Sequence, residues 1–478
     1  MPDTWVQNKQ LLIYHNTTFF NEYIPIIQDD NNCDDNGNSI DIDAISVSTA
    51  NSGRSECSVR SYKNASDDAN IVPTNVKKLP QLQYIYDLDG TLIIPASKCK
   101  FSRDHRDWKF VNGVQDHFMK LAERQDYFLC IISNQGGLDG VRKIGDQTVN
   151  KQKEFQKKFL AVINRLTNMF RSRGNLLYVF AIFALNTNDV TYRKPYPSSW
   201  YFIEKNLPLQ DISGNYMYIG DAAGRHSETS ATRDHSCCDR KFALNTGMDF
   251  KTPEEFFLGY ETQPFLWGFD PRMYLIHANM ENNTAYIPEQ DDYDQMFPIK
   301  RRETHIYLSI MVGCPGSGKS AFAEIIKKKC STYKMKIINQ DDMKTQQKME
   351  SEIHRSLCEG YSLIIDRMNH LLEDREKWIE YVSQIVNRLG KKLKVYTFEM
   401  QTDISLAYHL NIIRSRKNSS DRAKVPQIVY HTYKKRYVEP DISVEKAISK
   451  RFLIPFVPQF SNTKKMMNFL IMTESLYK

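Results

Sequence analysis

Two carboxylates two residues apart, directly after a short apolar run, are the first residues in this chain whose spacing suits chemistry. Asp87 and Asp89 stand in Asp87-Leu88-Asp89-Gly90-Thr91-Leu92, after Tyr84-Ile85-Tyr86. Ligands of open α/β sheets bind beyond the carboxyl ends of strands, so both side chains are expected in a crevice. One can attack phosphorus while the other protonates the leaving oxygen and later takes a proton from water. Crowded negative charges repel, and a divalent cation with oxygen ligands, Mg2+, would keep them ionised beside a phosphate. An isolated Asp-x-Asp also fits an ordinary turn. Three further strings favour the chemical reading, because each follows an apolar run that would present it to the same crevice. Ser133-Asn134-Gln135 can donate hydrogen bonds to phosphoryl oxygens, with Ser133 as the candidate. Tyr192-Arg193-Lys194-Pro195 supplies cations, above all Lys194, for charge that builds on those oxygens during transfer. Gly220-Asp221-Ala222-Ala223-Gly224-Arg225 adds Asp221, a further carboxylate suited to a metal.

A second chemistry is written in Gly313-Cys314-Pro315-Gly316-Ser317-Gly318-Lys319-Ser320, which matches G-x-x-x-x-G-K-[ST] between an apolar run and a helical pattern. Around Gly313, Gly316, Ser317 and Gly318 the backbone N–H groups can turn inward on a β-phosphate. Lys319 reaches the β and γ oxygens, and the Ser320 hydroxyl coordinates Mg2+. Such a loop specifies a nucleoside triphosphate, ATP, and leaves the acceptor open. Downstream, Asp341 follows Ile337-Ile338-Asn339-Gln340, where it could act as general base on an acceptor hydroxyl. Asp366 ends the run Ile364-Ile365, and Arg414 and Arg416 lie on a basic segment that could close over the transferring phosphate.

The elements that must position these residues follow from periodicity. Apolar runs at Tyr84–Tyr86, Phe128–Ile132, Leu176–Phe183 and Tyr216–Ile219 alternate with longer polar-faced segments, the pattern of a parallel sheet with crossover helices. Phe155, Phe159, Ile163, Leu166 and Phe170 recur at helical spacing, and Lys153, Lys157, Lys158 and Arg165 are expected on the other faces. Leu11-Leu12-Ile13-Tyr14 has strand composition and needs a sheet elsewhere to pair with. The pattern restarts at Ile306–Val312, Ser362–Ile365 and Leu393–Phe398. The predicted fold is α/β, with two doubly wound parallel-sheet domains at 1–260 and 303–478 and a connector over 261–302. A flexible insertion is expected at about 29–70, where Asn, Asp and Ser leave too few apolar side chains to offset ordering entropy.

Composition agrees. At about 150 residues per domain, 478 residues imply two or three domains. With 41% apolar and 25% charged residues, large buried cores are possible and a wholly disordered chain is excluded. A net charge of +7 permits a polyanionic partner without requiring one. No window approaches the roughly 20 apolar residues of a membrane span, and Met1-Pro2-Asp3-Thr4-Trp5 lacks the form of a signal peptide, so an intracellular protein is expected. Nine scattered cysteines suit reduced thiols. Cys237 and Cys238 with His235 hint at a metal, but no second ligand pair stands at finger-like spacing.

The strings Asp87 to Leu92, Ser133, Lys194 and Gly220-Asp221 together resemble the haloacid dehalogenase superfamily of phosphatases. Tyr192–Pro195, Gly220–Arg225, Asp239-Arg240-Lys241-Phe242-Ala243-Leu244-Asn245 and Thr252-Pro253-Glu254-Glu255-Phe256-Phe257 are similar to the phosphatase domain of the polynucleotide kinase 3′-phosphatase family. The resemblance implies Asp87 as nucleophile and Asp89 as acid/base, with Asp87, Asp221 and the Asp89 main chain on the metal. The second half resembles the 5′-hydroxyl kinase domain of the same family in its glycine-rich loop, His409–Arg414 and Tyr430–Pro440. Asp341 then corresponds to the Asp of the family's Asn-Arg-Asp. Gln340 replaces the Arg of that triplet, and Arg367-Met368-Asn369 stands where Asp is normally followed by Asn-Thr-Asn. Trp5-Val6-Gln7 with Leu11-Leu12 looks like the opening of the family's phosphatase domain, and only about Asn16 to Val76 lacks a counterpart.

What this implies is a monomeric enzyme that removes a 3′-phosphate and phosphorylates a 5′-hydroxyl with ATP on nucleic-acid ends, DNA ahead of RNA, in strand-break repair. Tyr433-Lys434-Lys435-Arg436-Tyr437 could contact a strand or form a solvated helix face. The resemblance and Lys300-Arg301-Arg302 suggest a nuclear protein, with cytoplasmic residence open. The chain has no room for the family's phosphothreonine-binding forkhead-associated domain, so repair proteins are not expected to recruit it that way. Two rival readings remain. One is a nucleotidase joined to a metabolite kinase; the other is a phosphatase whose degenerate kinase half serves as a binding scaffold.

Overall fold

The computed structural model describes residues 4–7, 11–16, 80–97, 99–144, 147–186, 191–207, 209, 216–226, 234–279, 290–301, 303–330, 333–417, 424–458, 460 and 462–476. The insertion expected at 29–70 lies outside them.

The first sheet has seven strands in the order Thr4–Gln7, Leu11–His15, Leu177–Leu185, Tyr127–Gln135, Tyr84–Tyr86, Met217–Ile219 and Asp249–Lys251. The last five run parallel. Leu11–His15 closes antiparallel on Leu177–Leu185, and Thr4–Gln7 on Leu11–His15. Every position of Leu177–Leu185 is buried, as expected for a strand covered on both faces. Leu129 and Ile131 enter one core, and Phe128, Cys130 and Ile132 the other, so side chains alternate across the sheet. Helix Lys151–Arg171 lays Phe155, Phe159, Ile163, Leu166 and Phe170 into the first core. Helices Ser198–Asn206 and Cys238–Thr246 cover the second with Trp200, Ile203 and Phe242. Strand order reverses beside Tyr84–Tyr86, which opens a crevice at its carboxyl end. Asp87 is the next residue.

The second sheet is wholly parallel, in the order Met335–Asn339, Ser362–Asp366, His305–Val312, Lys392–Met400 and Lys450–Ile454. Its central strand, His305–Val312, runs into Gly313–Ser320 and then helix Lys319–Lys329. Here too the order reverses at the central strand, so the glycine-rich loop sits at the switch point.

The stretch 261–302, expected as a plain connector, does more than connect. It contains the helices Arg272–Asn279 and Gln290–Met296, and it buries Tyr293, Met296 and Phe297 in the same core as Tyr307, Met311 and Phe398. Tyr293, Met296 and Phe297 stand at the i, i+3, i+4 spacing of a helix, but three apolar residues in and just after one short helix among Asp, Gln and Pro are too few to register as a period.

Candidate active sites

At the first switch point Lys194 organises the cluster. Its ammonium lies 2.9 Å from Asp87 Oδ1 and 2.8 Å from Asp239 Oδ1. It also donates to the Tyr218 hydroxyl at 2.7 Å, and that hydroxyl donates in turn to the Ile132 carbonyl at 2.7 Å. The Lys194 backbone is clamped by Asn134, whose amide donates to the Lys194 carbonyl at 2.9 Å and accepts from its N–H at 2.8 Å. Only 1% of the Lys194 and Asp239 side chains is exposed. Charges so deep are tolerable only when paired and hydrogen-bonded, so the polar cluster is a unit.

Asp87, Asp221 and Asp239 each offer a carboxylate oxygen, all within 4.8 Å of one another. Burial pushes the Asp87 carboxyl up to about 6; Lys194 and the Ser133 hydroxyl draw it back, while Asp239 adds to the rise. Asp221 is held well above the carboxylate range by burial and then by its neighbours Asp239 and Asp87. Burial draws the Lys194 ammonium down, but Asp239 and Asp87 outweigh it and hold its pKa well above the lysine range. Two of the three carboxylates pair with the one ammonium while Asp221 lies beside them, and Asp87 Oδ1 is buried without an aligned hydrogen bond. An all-oxygen donor set with surplus negative charge fits a hard divalent cation.

The backbone makes room for this crowding. Gly90 has φ 84°, and a Cβ there would overlap the Asp221 carboxylate. A Cβ on Gly220 would come 2.5 Å from Asp239 Oδ2. The turn at 220–225 is held by Arg225, which pairs with Asp234 at 3.0 Å and Glu254 at 2.9 Å and donates to the Asp221 carbonyl at 3.3 Å. Asp239 Oδ2 accepts the Ala222 N–H at 3.0 Å.

Asp89 stands apart from the carboxylate cluster. Its oxygens accept from Lys158 at 2.9 Å and Gln135 at 2.8 Å, and 47% of its side chain is exposed. Gln135 also donates to Ser133 Oγ at 3.2 Å, tying Ser133 to the same network. Lys158, expected on an outer face of its helix, is 8% exposed and points into the site. The signal was present: Lys158 lies three residues after Phe155 and four before Val162, on the apolar stripe itself.

At the second switch point Gly316 and Gly318 have φ 78° and 94°, and a Cβ on Gly316 would strike the Ala407 carbonyl. Ser317 Oγ is buried without a hydrogen-bond partner. The Ser317 carbonyl accepts from Thr402 at 2.8 Å. The Gly313 N–H donates to the Met368 carbonyl at 3.1 Å, so the turn after Asp366 braces the loop. Lys319 is buried and donates to the Cys314 carbonyl at 2.7 Å. Burial draws its pKa down, and Arg414 adds to this, while Cys314, Asp366 and Asp341 pull it up. Ser320 Oγ donates to Asp366 Oδ2 at 2.6 Å, which also accepts from Asn339 at 2.7 Å. A glycine cradle, a buried ammonium and a hydroxyl–carboxylate pair fit a triphosphate with its cation.

Asp341 is exposed at the start of helix Gln340–Met343, its N–H donating to Asn339 Oδ1 at 2.7 Å. Arg414 approaches Asn411 Oδ1 at 3.4 Å, and the Arg416 side chain lies outside the described residues. Gln340 and Arg367 meet: Arg367 Nε donates to Gln340 Oε1 at 2.7 Å, with its guanidinium 5.4 Å from the Trp378 ring. The string 433–437 divides between two environments. Tyr433 stacks on His370 at 5.3 Å and on Tyr437 at 5.4 Å, while Lys434, Lys435 and Arg436 are exposed. Its rings are thus spent on packing. Cys237 and Cys238 do not enter the metal-type cluster, which among the described residues consists of Asp87, Asp221 and Asp239.

The family model for polynucleotide kinase 3 phosphatase matches residues 83–257, the span that carries the whole first cluster. A bifunctional polynucleotide phosphatase/kinase of Schizosaccharomyces pombe is 29% identical over 372 residues, covering 78% of this chain and 79% of that protein. An Acanthamoeba polyphaga mimivirus protein provisionally given the same bifunctional name is 30% identical over 378 residues, covering 74% of this chain and 80% of its own length. This chain belongs to the bifunctional polynucleotide phosphatase/kinase family. Within that family's neighbourhood, a polynucleotide 3′-phosphatase of Saccharomyces cerevisiae is 29% identical over 217 residues, covering 37% of this chain and 87% of its own length. Bifunctional phosphatase/kinase relatives thus extend over both sheets, and the 3′-phosphatase relative over a smaller share.

Proposed function

We propose that this chain heals nucleic-acid ends, removing a 3′-phosphate at the first site and phosphorylating a 5′-hydroxyl with ATP at the second. The observation that carries this reading is the meeting of Asp87, Lys194, Asp221 and Asp239 at one switch point, in a family that pairs both activities. The first unit reads as a haloacid dehalogenase-like fold spanning 1–260, and the second as a P-loop kinase spanning 303–478.

In the first site Asp87 attacks the phosphorus and becomes an aspartyl phosphate, while the terminal 3′ oxygen leaves with a proton from Asp89. Asp89 then takes a proton from the water that hydrolyses the acyl phosphate. Lys158 and Gln135 aim Asp89 for both steps, and Lys194 with Ser133 offsets charge on the phosphoryl oxygens. Asp87, Asp221 and the Asp89 main chain would hold Mg2+, which when bound screens these carboxylates from one another and from the phosphate. In the second site Gly313, Gly316, Ser317 and Gly318 cradle the phosphates, Lys319 neutralises the β and γ oxygens, and Ser320 with Asp366 would hold Mg2+. Asp341 takes the proton of the acceptor hydroxyl, and Arg414 offsets charge on the group in flight. DNA ends are the expected substrate and the nucleus the expected place of work.

An oligonucleotide bearing a 3′-phosphate and a 5′-hydroxyl tests this directly. The expected result is release of the 3′-phosphate and, with ATP, gain of a 5′-phosphate. Turnover of free mononucleotides with both oligonucleotide ends left untouched would overturn it.

The contact between Gln340 and Arg367 bears on whether the kinase half has decayed. The guanidinium that the family pattern places just before Asp341 is here offered from just after Asp366, and the amide has moved the other way. We expect Arg367→Asn alone to lower 5′ phosphorylation about tenfold, as for loss of one charged contact. The double variant Gln340→Arg/Arg367→Asn should recover most of that activity. Failure of the double variant to recover any of it, measured by 5′ end-labelling rates, counts against the exchange.

A further inference from the structure

Helix Cys238–Thr246 carries Asp239 of the first site in its first turn, and its Lys241 is held by a segment 232 residues further on. Lys241 is buried, and its ammonium donates to the Phe269 carbonyl at 3.1 Å, the Thr473 carbonyl at 2.8 Å and the Ser475 hydroxyl at 3.4 Å. One turn on, Asn245 donates to the Pro195 carbonyl at 2.7 Å and the Met472 carbonyl at 2.9 Å, and accepts the Met472 N–H at 2.8 Å. Pro195 directly follows Lys194. A single amide therefore joins the helix of Asp239, the turn of Lys194 and the segment Ile471–Leu476.

That segment follows helix Thr463–Leu470 and is equally tied to the second unit. His409 bonds Thr473 Oγ1 at 3.0 Å, and Tyr408 donates to Glu474 at 2.9 Å, with Lys424 also on Glu474. Leu476 packs in one cluster with Cys314 of the glycine-rich loop, Ala407, Tyr408, Tyr430 and, from the first unit, Tyr196. Tyr408, which holds Glu474, thus shares a cluster with Cys314 of the loop at Gly313–Ser320.

We propose that Ile471–Leu476 is a working part of the first site, with Lys241 and Asn245 as positioning residues that act through Asp239 and Lys194. Without the segment Lys241 loses two of its three acceptors in a buried setting, and the helix must shift to hydrate it. Asp239 and the Lys194 turn shift with it, and the ammonium no longer lies where Asp87 needs it. Misplacement of about 1 Å costs roughly a hundredfold in rate, so the effect belongs to kcat rather than to substrate binding.

The inference rests on the phosphatase reading of that site, and the test separates the two. The chain ending at Leu470 and the full-length double variant Asn245→Ala/Ser475→Ala are compared with the parent on a 3′-phosphorylated oligonucleotide and on p-nitrophenyl phosphate. The expected result is a kcat about 10- to 100-fold lower with KM within about twofold, in protein that still melts cooperatively above the assay temperature. Ser475→Thr, which keeps the hydroxyl, should stay near the parent rate. A kcat within twofold of the parent in the folded double variant overturns the proposal, as does a fall no larger than the loss of folded protein. Should the shortened chain not fold, the double variant decides alone. If the parent ignores the oligonucleotide, the 3′-phosphatase reading fails while p-nitrophenyl phosphate still reports on the segment.

Discussion

Asp87→Asn should leave a folded enzyme that no longer releases 3′-phosphate yet labels 5′ ends at the parent rate. The amide cannot form an acyl phosphate, and removal of a covalent nucleophile typically costs roughly 10^4-fold or more. Stability should move the other way. Burial and Asp239 already disfavour the ionised Asp87, so a neutral side chain relieves crowding, while Lys194 keeps Asp239 and Tyr218. Thermal melting and the two end-processing assays on one preparation check both parts. A parallel loss of 5′ labelling would mean that the two reactions share a centre.

Lys319→Ala is the mirror experiment. The Lys319 ammonium is buried with a backbone carbonyl as its contact, and burial lowers its pKa. Such a group is held for a ligand rather than for the fold. Its loss should cut ATP-dependent 5′ phosphorylation by about 10^2- to 10^3-fold or more, the scale for a preorganised donor to developing charge. The melting midpoint should be unchanged or higher, and 3′-phosphate release within about twofold of the parent. Retained 5′ phosphorylation in this variant would remove the glycine-rich loop from the reaction.

Several of the residues that could be read from the chain share one property: they sit at the carboxyl ends of strands buried on both faces. Such strands are continuous apolar runs, so Asp87, Ser133, Asp221, Asp366 and the loop from Gly313 are each flagged by the run before them. Other partners carry no such flag. Asp239 enters from the first turn of a helix, and its neighbour across the ammonium, Tyr218, is an ordinary core tyrosine until its hydroxyl is located. Lys158 is buried although lysine is usually exposed, and its place on the apolar stripe is the reason. The bonds from Lys241 and Asn245 to Met472–Ser475 join segments with no common pattern, and only folding brings them together. Edge strands such as Asp249–Lys251 are too short for alternation to speak.

One feature of the resting enzyme shapes what an incoming substrate meets. The Lys194 ammonium has three close partners: the Tyr218 hydroxyl, to which it donates, and the carboxylates of Asp87 and Asp239, with which it pairs. Its side chain is almost wholly shielded, so no water layer has to be stripped when a phosphoryl oxygen arrives. On the proposed reaction the oxygen would instead displace one resident partner. The phenol is the uncharged member of the three, and its own proton is already anchored on Ile132, so it can be let go without stranding a charge. On the proposed reaction the cation would thus exchange the phenol for a phosphoryl oxygen and keep both carboxylates.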